Sequence, residues 1–329
     1  MPAARRGAIP SRQARAARLL RRFLQARNLH AAGFHRASDA QRRQRPVRSS
    51  YRMRIHHLNC ISTCPAGGRL MDGRADCVLC RGRLACHCLL LETASGLVLV
   101  DTGLGTRDVQ KPRERLSWFF LSLLSPDFRV EMTAVRQIEQ LGYSANDVRH
   151  IVLTHLDFDH AGGLDDFPAA TIHLLEPERT NAAAQRTWLD RQRFRPQQWS
   201  SAPRWSTYPV NLGERWSGFE GAVPLAGLGD EVVLVPLLGH TLGHAGVAVN
   251  RGDRWLLQAG DAYFDHREMD ESPACTPGLR FYQWMMEKDR TARLRNQDRL
   301  RELKSARQDI DILCSHDMTE FRRYASAAA

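Results

Sequence analysis

The chain has 329 residues, 43% of them hydrophobic, which is enough for one large globular core or two small ones. Its net charge of +11 suggests a nucleic-acid or membrane partner, but thirteen Arg and a single acid, Asp39, place +12 within residues 1–50. The rest of the chain therefore sums to −1 (11 − 12). We do not expect the body of the chain to bind nucleic acid, because it has no excess positive charge to hold a polyanion.

The basic segment 1–50 is rich in Arg, Ala and Gln, shows no strand pattern and is predicted to be a disordered extension. An organelle-targeting presequence, a basic arm for anionic surfaces and a translation start at Met53 are the alternatives. The segment lacks the apolar core of a secretory signal, and no run in the chain reaches the ~18–20 apolar residues of a membrane span. Eight Cys without such a signal predict a reducing, cytoplasmic compartment and argue against a disulfide framework. The sequence leaves open whether the chain forms a homodimer.

Six of the eight Cys lie between positions 60 and 88. The spacing of Cys77, Cys80, Cys86 and Cys88 allows a four-thiolate zinc site, although it is tighter than in the usual zinc motifs. Cys86 and Cys88 also fall in a predicted strand over 84–92, where both would face the core. We favour buried thiols, because free Cys commonly serves as a small buried hydrophobe.

The remaining pattern predicts many short strands with a few helices between them. Strand-like runs cover 53–58, 84–92, 97–100, 150–154, 170–175, 231–237, 247–249, 255–258 and 309–314, and helical periods cover 113–124, 132–141 and 287–307. Composition and periodicity by themselves predict a mixed α/β domain over 53–320 and a tail over 321–329. Trp118, Phe119 and Phe120 are predicted to form an apolar pocket wall.

One stretch, 155–160, contains four residues that bind metals well: His155, Asp157, Asp159 and His160. It follows the apolar run 151–153 and precedes Ala-Gly-Gly. In an extended path His155 and Asp157 share a face, because side-chain direction repeats every two residues. Asp159 and His160 then lie where the chain turns. The spacing predicts two pairs of ligands that can hold two cations a few Å apart.

Other polar residues also follow strand-like runs directly, usually beside Gly or Ser. They are Asp101, His240, Asp261 and His316. With His155 this makes five strand ends. We expect them to converge on one edge of the fold, as functional residues do on rigid scaffolds.

This constellation resembles the metallo-β-lactamase fold superfamily, whose members carry an H-x-H-x-D-H motif, a distant His, a bridging Asp and a final His. The resemblance covers roughly 53–320 and implies a four-layer αββα sandwich, an α+β arrangement of two mixed β-sheets flanked by helices. It implies two divalent metal ions: a first ion on His155, Asp157 and His240, a second on Asp159, His160 and His316, and Asp261 as the bridge. It also implies that Asp101 and His244 orient ligands without binding metal.

Asp157 departs from the family pattern, which has His at this position. A carboxylate still binds zinc, but it is a harder ligand than imidazole and shifts preference towards iron or manganese. The expected metal is therefore zinc, with iron or manganese as the alternatives at the site that contains Asp157.

Within the superfamily, Asp261-Ala262-Tyr263 and Ser315-His316-Asp317 are most similar to the N-acyl homoserine lactonase branch. The resemblance implies a hydrolase that opens a small-molecule lactone or ester by attack of a metal-bound hydroxide. Asp159 is expected to take and return a proton, and Tyr263 to stabilise the carbonyl oxygen. The alternatives are a thioester hydrolase of glyoxalase II type and a non-catalytic metal-binding protein on the same fold.

Overall fold

A computed structural model of the chain describes residues 53–202, 204–211 and 213–327. The predictions for residues 1–50 lie outside this range. Twelve strands are described: β1 (Arg54–Asn59), β2 (His87–Thr93), β3 (Gly96–Val100), β4 (Val148–Val152), β5 (Thr171–Leu175), β6 (Trp205–Tyr208), β7 (Glu214–Trp216), β8 (Phe219–Leu225), β9 (Gly229–Pro236), β10 (Ala245–Asn250), β11 (Trp255–Gln258) and β12 (Ile310–Leu313).

Most of the helices connecting these strands are short. They are α1 (Arg69–Asp72), α2 (Thr106–Gln110), α3 (Pro112–Arg115), α4 (Trp118–Leu124), α5 (Ala134–Gln140), α6 (Phe158–Ala161), α7 (Glu176–Ala184), α8 (Trp188–Arg193), α9 (Pro196–Trp199), α10 (Pro277–Met286), α11 (Arg290–Ala306) and α12 (Met318–Ala327). Across the described ranges, no helix combines the length and apolar character that a membrane span requires.

The strands form two mixed sheets of six. The first has the order β1-β2-β3-β4-β5-β6, antiparallel from β1 to β3 and parallel from β3 to β6. The second has the order β12-β11-β10-β9-β8-β7, in which only β11 and β12 are parallel. Parallel neighbours end at the same edge of a sheet. The ends of β3 and β4 are therefore adjacent, and so are those of β11 and β12.

Side chains along the central strands point alternately to the two faces of each sheet, and this alternation produces the layers. In β2, Leu89 and Leu91 face the core that both sheets share, whereas Leu90 faces the opposite side of the first sheet, which α5 covers. In β9, Val232 and Leu234 likewise face the shared core. The outer face of the second sheet packs against Leu300 and Leu303 of α11. Strands buried on both faces explain the nearly continuous apolar runs in the sequence. The predicted four-layer αββα sandwich is confirmed.

The C-terminal segment differs from the prediction of a tail over 321–329. Helix α12 continues to Ala327, and its aromatic residues pack on the first sheet. The ring of Phe321 meets His87 edge-on at 5.1 Å, and Tyr324 stacks on His57 at 5.6 Å. The folded domain therefore extends past residue 320, because these rings gain burial against β1 and β2.

The structure of the cysteine segment agrees with only one of the two predictions, a zinc site or buried thiols. Cys77 and Cys80 are joined in a disulfide, so the alternative of a four-thiolate zinc site is wrong: two of its four thiolates are not free. Cys86 and Cys88 are fully buried free thiols, as favoured. The disulfide is local, because it joins residues three positions apart and does not connect distant elements.

Candidate metal centre

The polar residues predicted from strand ends lie just beyond their strands: Asp101 after β3, His155 and Asp157 after β4, His240 after β9, Asp261 after β11 and His316 after β12. Asp159 and His160 are carried by the single turn of α6, for which Asp157 is the N-terminal flanking residue. The turn packs tightly on the β3 end: a Cβ at Gly162 would lie 2.3 Å from Asp108 Oδ2 and 2.8 Å from the Gly103 carbonyl oxygen. The structure thus brings the predicted ligands from both sheets into one buried cluster.

One group of ligand atoms comprises Asp159, His160 and His316, with one carboxylate oxygen of Asp261. His160 Nε2 and His316 Nε2 are 3.4 Å apart, and they lie 3.4 and 3.2 Å from Asp261 Oδ1. The Asp159 carboxylate lies 4.0 Å from His160 Nε2 and 3.7 Å from His316 Nε2. We call this set of four residues the α6 group.

The imidazoles of the α6 group turn their Nε2 atoms towards one another. Burial lowers the pKa of His160 and His316, but the Asp261 carboxylate outweighs it and raises both, so this position attracts positive charge. His160 Nδ1 donates to Asp101 Oδ2 at 2.9 Å, and His316 Nδ1 donates to the Ala85 carbonyl oxygen at 2.8 Å. With the proton on Nδ1, each Nε2 presents a lone pair to the Asp261 carboxylate. Asp261 Oδ1 is buried and has no hydrogen-bond donor among the described residues. Such a convergence of lone pairs is unfavourable unless a cation lies between them, so these donors fit a divalent metal ion.

A second group of ligand atoms lies on the other oxygen of Asp261. His155 Nε2 is 3.2 Å from Asp157 Oδ2, and His240 Nε2 is 3.0 Å from the same oxygen. Asp261 Oδ2 is 3.8 Å from His155 Nε2 and 3.4 Å from His240 Nε2. We call His155, Asp157 and His240 the β4 group. Asp261 turns one oxygen to each group, which is the arrangement a bridging carboxylate needs.

The β4 group is contacted by a residue that was not predicted from the sequence. Arg193, at the end of α8, is fully buried and pairs with Asp157 through both carboxylate oxygens, at 2.6 and 2.5 Å. Burial alone would raise the pKa of Asp157, but the Arg193 guanidinium and His155 hold it well below its usual value. Asp157 therefore lies where predicted but is shared with a permanent cation. Arg193 has no recognisable sequence signal, because Asn181–Tyr208 contains several Arg with weak patterning.

Asp101 acts on two ligands of the centre through hydrogen bonds. It accepts from the backbone N–H and the hydroxyl of Thr154, each at 2.8 Å, as well as from His160 Nδ1. The Thr154 hydroxyl in turn accepts from His155 Nδ1 at 3.0 Å. Asp101 has a left-handed backbone, with φ of 54°, a conformation that costs energy and concentrates at functional sites. This placement suits the orienting role that the resemblance implies for it.

His244 and Glu178 connect the segments that carry the ligands. His244 uses both ring nitrogens: Nδ1 donates to the Leu237 carbonyl oxygen at 2.9 Å, and Nε2 accepts from the Asp261 backbone N–H at 2.9 Å. It therefore positions Asp261 and has no lone pair left for a metal. The buried Glu178 carboxylate, a second residue missed from sequence, accepts from Leu156 N–H at 2.9 Å, Gly243 N–H at 3.1 Å and the Thr241 hydroxyl at 2.5 Å.

The two tyrosines near the centre are placed differently. Tyr263 is fully buried in the outer core of the second sheet, and its hydroxyl donates to Glu320 at 3.0 Å. The hydrogen bonds of Tyr263 therefore do not connect it to either ligand group. Tyr282 of α10 packs its ring 5.8 Å from Phe264, which stacks on His316 at 5.1 Å. Burial and the carboxylates of Asp159, Asp157 and Asp261 raise the pKa of Tyr282 well above its ordinary value.

Comparison with known proteins supports these observations. The profile described as Metallo-beta-lactamase superfamily matches residues 81–306. A Mycobacterium tuberculosis protein named "Probable metallo-hydrolase" is 42% identical over 267 residues, which cover 80% of each chain. The N-acyl homoserine lactonase AiiA of Bacillus thuringiensis subsp. kurstaki is 34% identical over 118 residues, but these cover only 35% of this chain and 47% of the lactonase.

Solved structures agree on the fold. An N-acyl homoserine lactone hydrolase with N-hexanoyl-L-homoserine at its catalytic metal centre superposes with a TM-score of 0.61, over 82% of this chain and 95% of the other, at 20% identity. A mutant of B. thuringiensis AiiA with N-decanoyl-L-homoserine bound gives 0.60 over the same shares, also at 20% identity. The profile match and the mycobacterial relative establish the family, and the structures establish the fold. The chain belongs to the metallo-β-lactamase superfamily and is a metallo-hydrolase.

Proposed function

We propose that the chain is a metal-dependent hydrolase that opens a lactone or ester, with an N-acyl homoserine lactone as the first substrate to test. The observation that carries the proposal is the α6 group, in which buried lone pairs of His160, His316 and Asp261 converge with the Asp159 carboxylate. A family resemblance alone would be compatible with a scaffold that has lost its chemistry. Complete retention of the α6 group and of its orienting partner Asp101 argues for an enzyme.

The residues of the α6 group would hold the ion through imidazole nitrogens and carboxylate oxygens, a donor set that suits zinc. A divalent ion held there would act as a Lewis acid and would lower the pKa of a bound water molecule to about 7. Asp159 has no hydrogen-bond donor to its carboxylate among the described residues, so this group is free to accept and return a proton. No serine or cysteine nucleophile is required.

Tyr282 is the tyrosine we propose to contact the substrate carbonyl. Its hydroxyl makes no hydrogen bond to another described residue, whereas that of Tyr263 is committed to Glu320. A buried hydroxyl that lacks a partner and whose pKa the ligand carboxylates raise is available to donate to an oxygen that gains negative charge. The role expected for Tyr263 from the family spacing is therefore reassigned in this proposal to a residue of α10.

A cavity of about 210 Å³ lies beside His316, and we propose it as the access to the centre. Leu84, Phe264 and Leu279 contribute apolar lining. The charged lining has both signs and comes from Asp72, Arg74, Arg83, Asp265, Arg267 and Asp317. Its volume lies below the roughly 300–1,000 Å³ of pockets that enclose whole drug-sized ligands. The cavity therefore suits the ring or ester group, with the rest of a substrate lying outside it.

An apolar surface for that remainder is present on α4 and α8. Phe119 packs edge-on against Trp188 at 5.2 Å, and Phe120 lies beneath them against Phe158 at 4.8 Å. Trp118 is 72% exposed. Phe120 belongs to the core, while Phe119, Trp118 and Trp188 provide the apolar wall that we propose contacts an acyl chain.

The test is hydrolysis by metal-loaded protein of a panel that contains an N-acyl homoserine lactone, an aryl ester, a thioester and a phosphodiester. We expect lactone or ester cleavage that a chelator abolishes and added zinc restores. Cleavage of the thioester alone would favour the glyoxalase II-type function. If none of the four is cleaved, the proposed function is refuted.

The tyrosine assignment has its own test, with a matched control. Tyr282→Phe should lower kcat by roughly 10²–10³, the range for loss of one donor to a developing oxyanion. Tyr263→Phe removes an equally buried hydroxyl that is bonded to Glu320, and should leave kcat within a few-fold of wild type. The reverse ranking of the two variants would restore the role to Tyr263.

A further inference from the structure

All three nitrogens of the Arg193 guanidinium make hydrogen bonds to the β4 group or its surroundings. Nε and Nη2 bind the two oxygens of Asp157, and Nη1 donates to the Met286 carbonyl oxygen. The side chain is completely buried, and Asp157 is its carboxylate partner. A two-pronged contact of this kind is the strongest and most rigid that an arginine makes with a carboxylate. Both oxygens of Asp157 are thus already engaged by a cation.

His240 is engaged by the same cation. Arg193 Nη2 lies 2.9 Å from His240 Nε2, which is also 3.0 Å from Asp157 Oδ2. In the tautomer with the proton on Nδ1, His240 Nε2 accepts from Arg193. A neutral imidazole has one unprotonated nitrogen with a single lone pair. That lone pair cannot serve both the guanidinium and a metal ion. His240 differs in this respect from His160 and His316, whose Nε2 lone pairs have no competing N–H donor in the described structure.

The donors left for an ion at the β4 group are consequently few. His155 Nε2 has no hydrogen-bond partner among the described residues, and Asp261 Oδ2 is shared with the α6 group. Catalytic zinc sites normally have three protein ligands. With the His240 proton on Nδ1, which has no partner among the described residues, this group offers two acceptors that are not committed to Arg193. A guanidinium keeps its charge in proteins, so it would also repel a dication placed beside it in a buried site.

We infer that the Arg193 guanidinium takes the place of the metal ion in the β4 group, so that the chain binds a single divalent ion, at the α6 group. This inference rests on the metal centre proposed above and deepens it. Arg193 supplies Asp157 and His240 with the positive partner that the first ion would supply in a dinuclear relative. Position 157 carries Asp where the family pattern has His, and the buried Arg193 is the cation that compensates this negative charge.

The experiment is a count of bound zinc per chain by elemental analysis, after saturation of the full-length protein and removal of excess metal by gel filtration. We expect one ion in wild type. The variant Asp157→His with Arg193→Met removes the guanidinium and restores a neutral ligand, and we expect two ions in it. Asp157→His alone is not suitable, because it leaves a buried charge without a partner.

A matched control exists at a second buried ion pair. Arg293 of α11 donates to Glu287 at 2.7 Å, and both side chains are nearly inaccessible. Arg293→Met with Glu287→Gln removes a comparable pair outside the two ligand groups, and should leave the count at one. A count of two in this control would show that loss of a buried arginine pair opens the second position non-specifically, and would overturn the inference.

The other outcomes separate the inference from the function on which it rests. Two ions in wild type would overturn the role of Arg193 and leave the metal-dependent function standing. No bound ion in wild type would refute both. Because the wild-type count is decisive by itself, the inference stays testable even if the double variant does not fold. If that variant folds and still binds one ion, the inference is overturned as well.

Discussion

Glu178 offers the sharpest test of how the metal centre is held in place. Its carboxylate is buried and accepts three hydrogen bonds, from Leu156 N–H, Gly243 N–H and the Thr241 hydroxyl. Leu156 lies between the ligands His155 and Asp157, and Thr241 directly follows His240. One side chain therefore joins the two segments that supply the β4 group, and Glu178→Gln is the perturbation we propose.

The magnitude follows from the hydrogen bonds that an amide cannot reproduce. Glutamine keeps one acceptor oxygen, which can serve the Leu156 N–H, but its NH₂ group faces the Gly243 N–H, a donor against a donor. A buried N–H left unsatisfied costs about 1–3 kcal/mol of unfolding free energy. Loss of a group that orients ligands typically weakens metal binding about 10–100-fold. We expect both effects in Glu178→Gln. If the single ion lies at the α6 group, the loss of zinc affinity should fall at the lower end of this range, because Glu178 joins the segments of the β4 group.

Both effects are measurable on the same preparations. Burial raises the pKa of Glu178 to about 7, so the comparison belongs at pH 8, where the carboxylate is mainly charged. Urea unfolding gives the change in free energy, and competition with a chelator gives the zinc affinity. The exposed Glu302→Gln is the control and should change stability by less than about 0.5 kcal/mol. Equal stability and equal zinc affinity in Glu178→Gln and wild type would refute the reasoning.

Two further predictions concern the fold that supports the centre. Burial, with the neighbouring His150, lowers the pKa of His173 to about 4 from 6.5, so only the unfolded state binds a proton between these values and stability falls as pH drops from 6.5 to 4. His173→Gln should remove up to about 1.4 kcal/mol per pH unit of that dependence in urea unfolding; an unchanged slope would contradict the assignment. Gly243→Ala would place a Cβ 2.0 Å from the backbone nitrogen of Glu178 and should lower the free energy of unfolding by about 3 kcal/mol or more. Gly142→Ala, with open space around it but a left-handed φ of 89°, should cost only about 1–2 kcal/mol; equal losses in the two variants would show that the contact with Glu178 is not the cause.

The sequence by itself was sufficient for the ligand-bearing strand ends. Apolar runs a few residues long indicate buried strands. A His or Asp at the end of such a run is easy to recognise, because the residues before it are uniformly apolar. The two mixed sheets, and the gathering of Asp101, His155, His240, Asp261 and His316 at one edge, follow from that local pattern together with the resemblance. A strand that is buried on both faces has a nearly continuous apolar sequence, so this part of the protein could be predicted.

The residues that adjust the centre were decided only by tertiary structure. Arg193, Glu178 and Tyr282 come from helices that pack over the strand ends, in stretches where one Arg, Glu or Tyr looks like any other. Their roles depend on distances across the fold: 36 positions separate Arg193 from Asp157, and 63 separate Glu178 from Thr241. Tyr263, by contrast, has nearly the family's spacing after Asp261, yet its hydroxyl is bonded to Glu320. A short sequence motif specifies which segments of the backbone lie at the site. The partner of a buried charge or hydroxyl, in contrast, is the distant side chain that tertiary packing brings within hydrogen-bond distance.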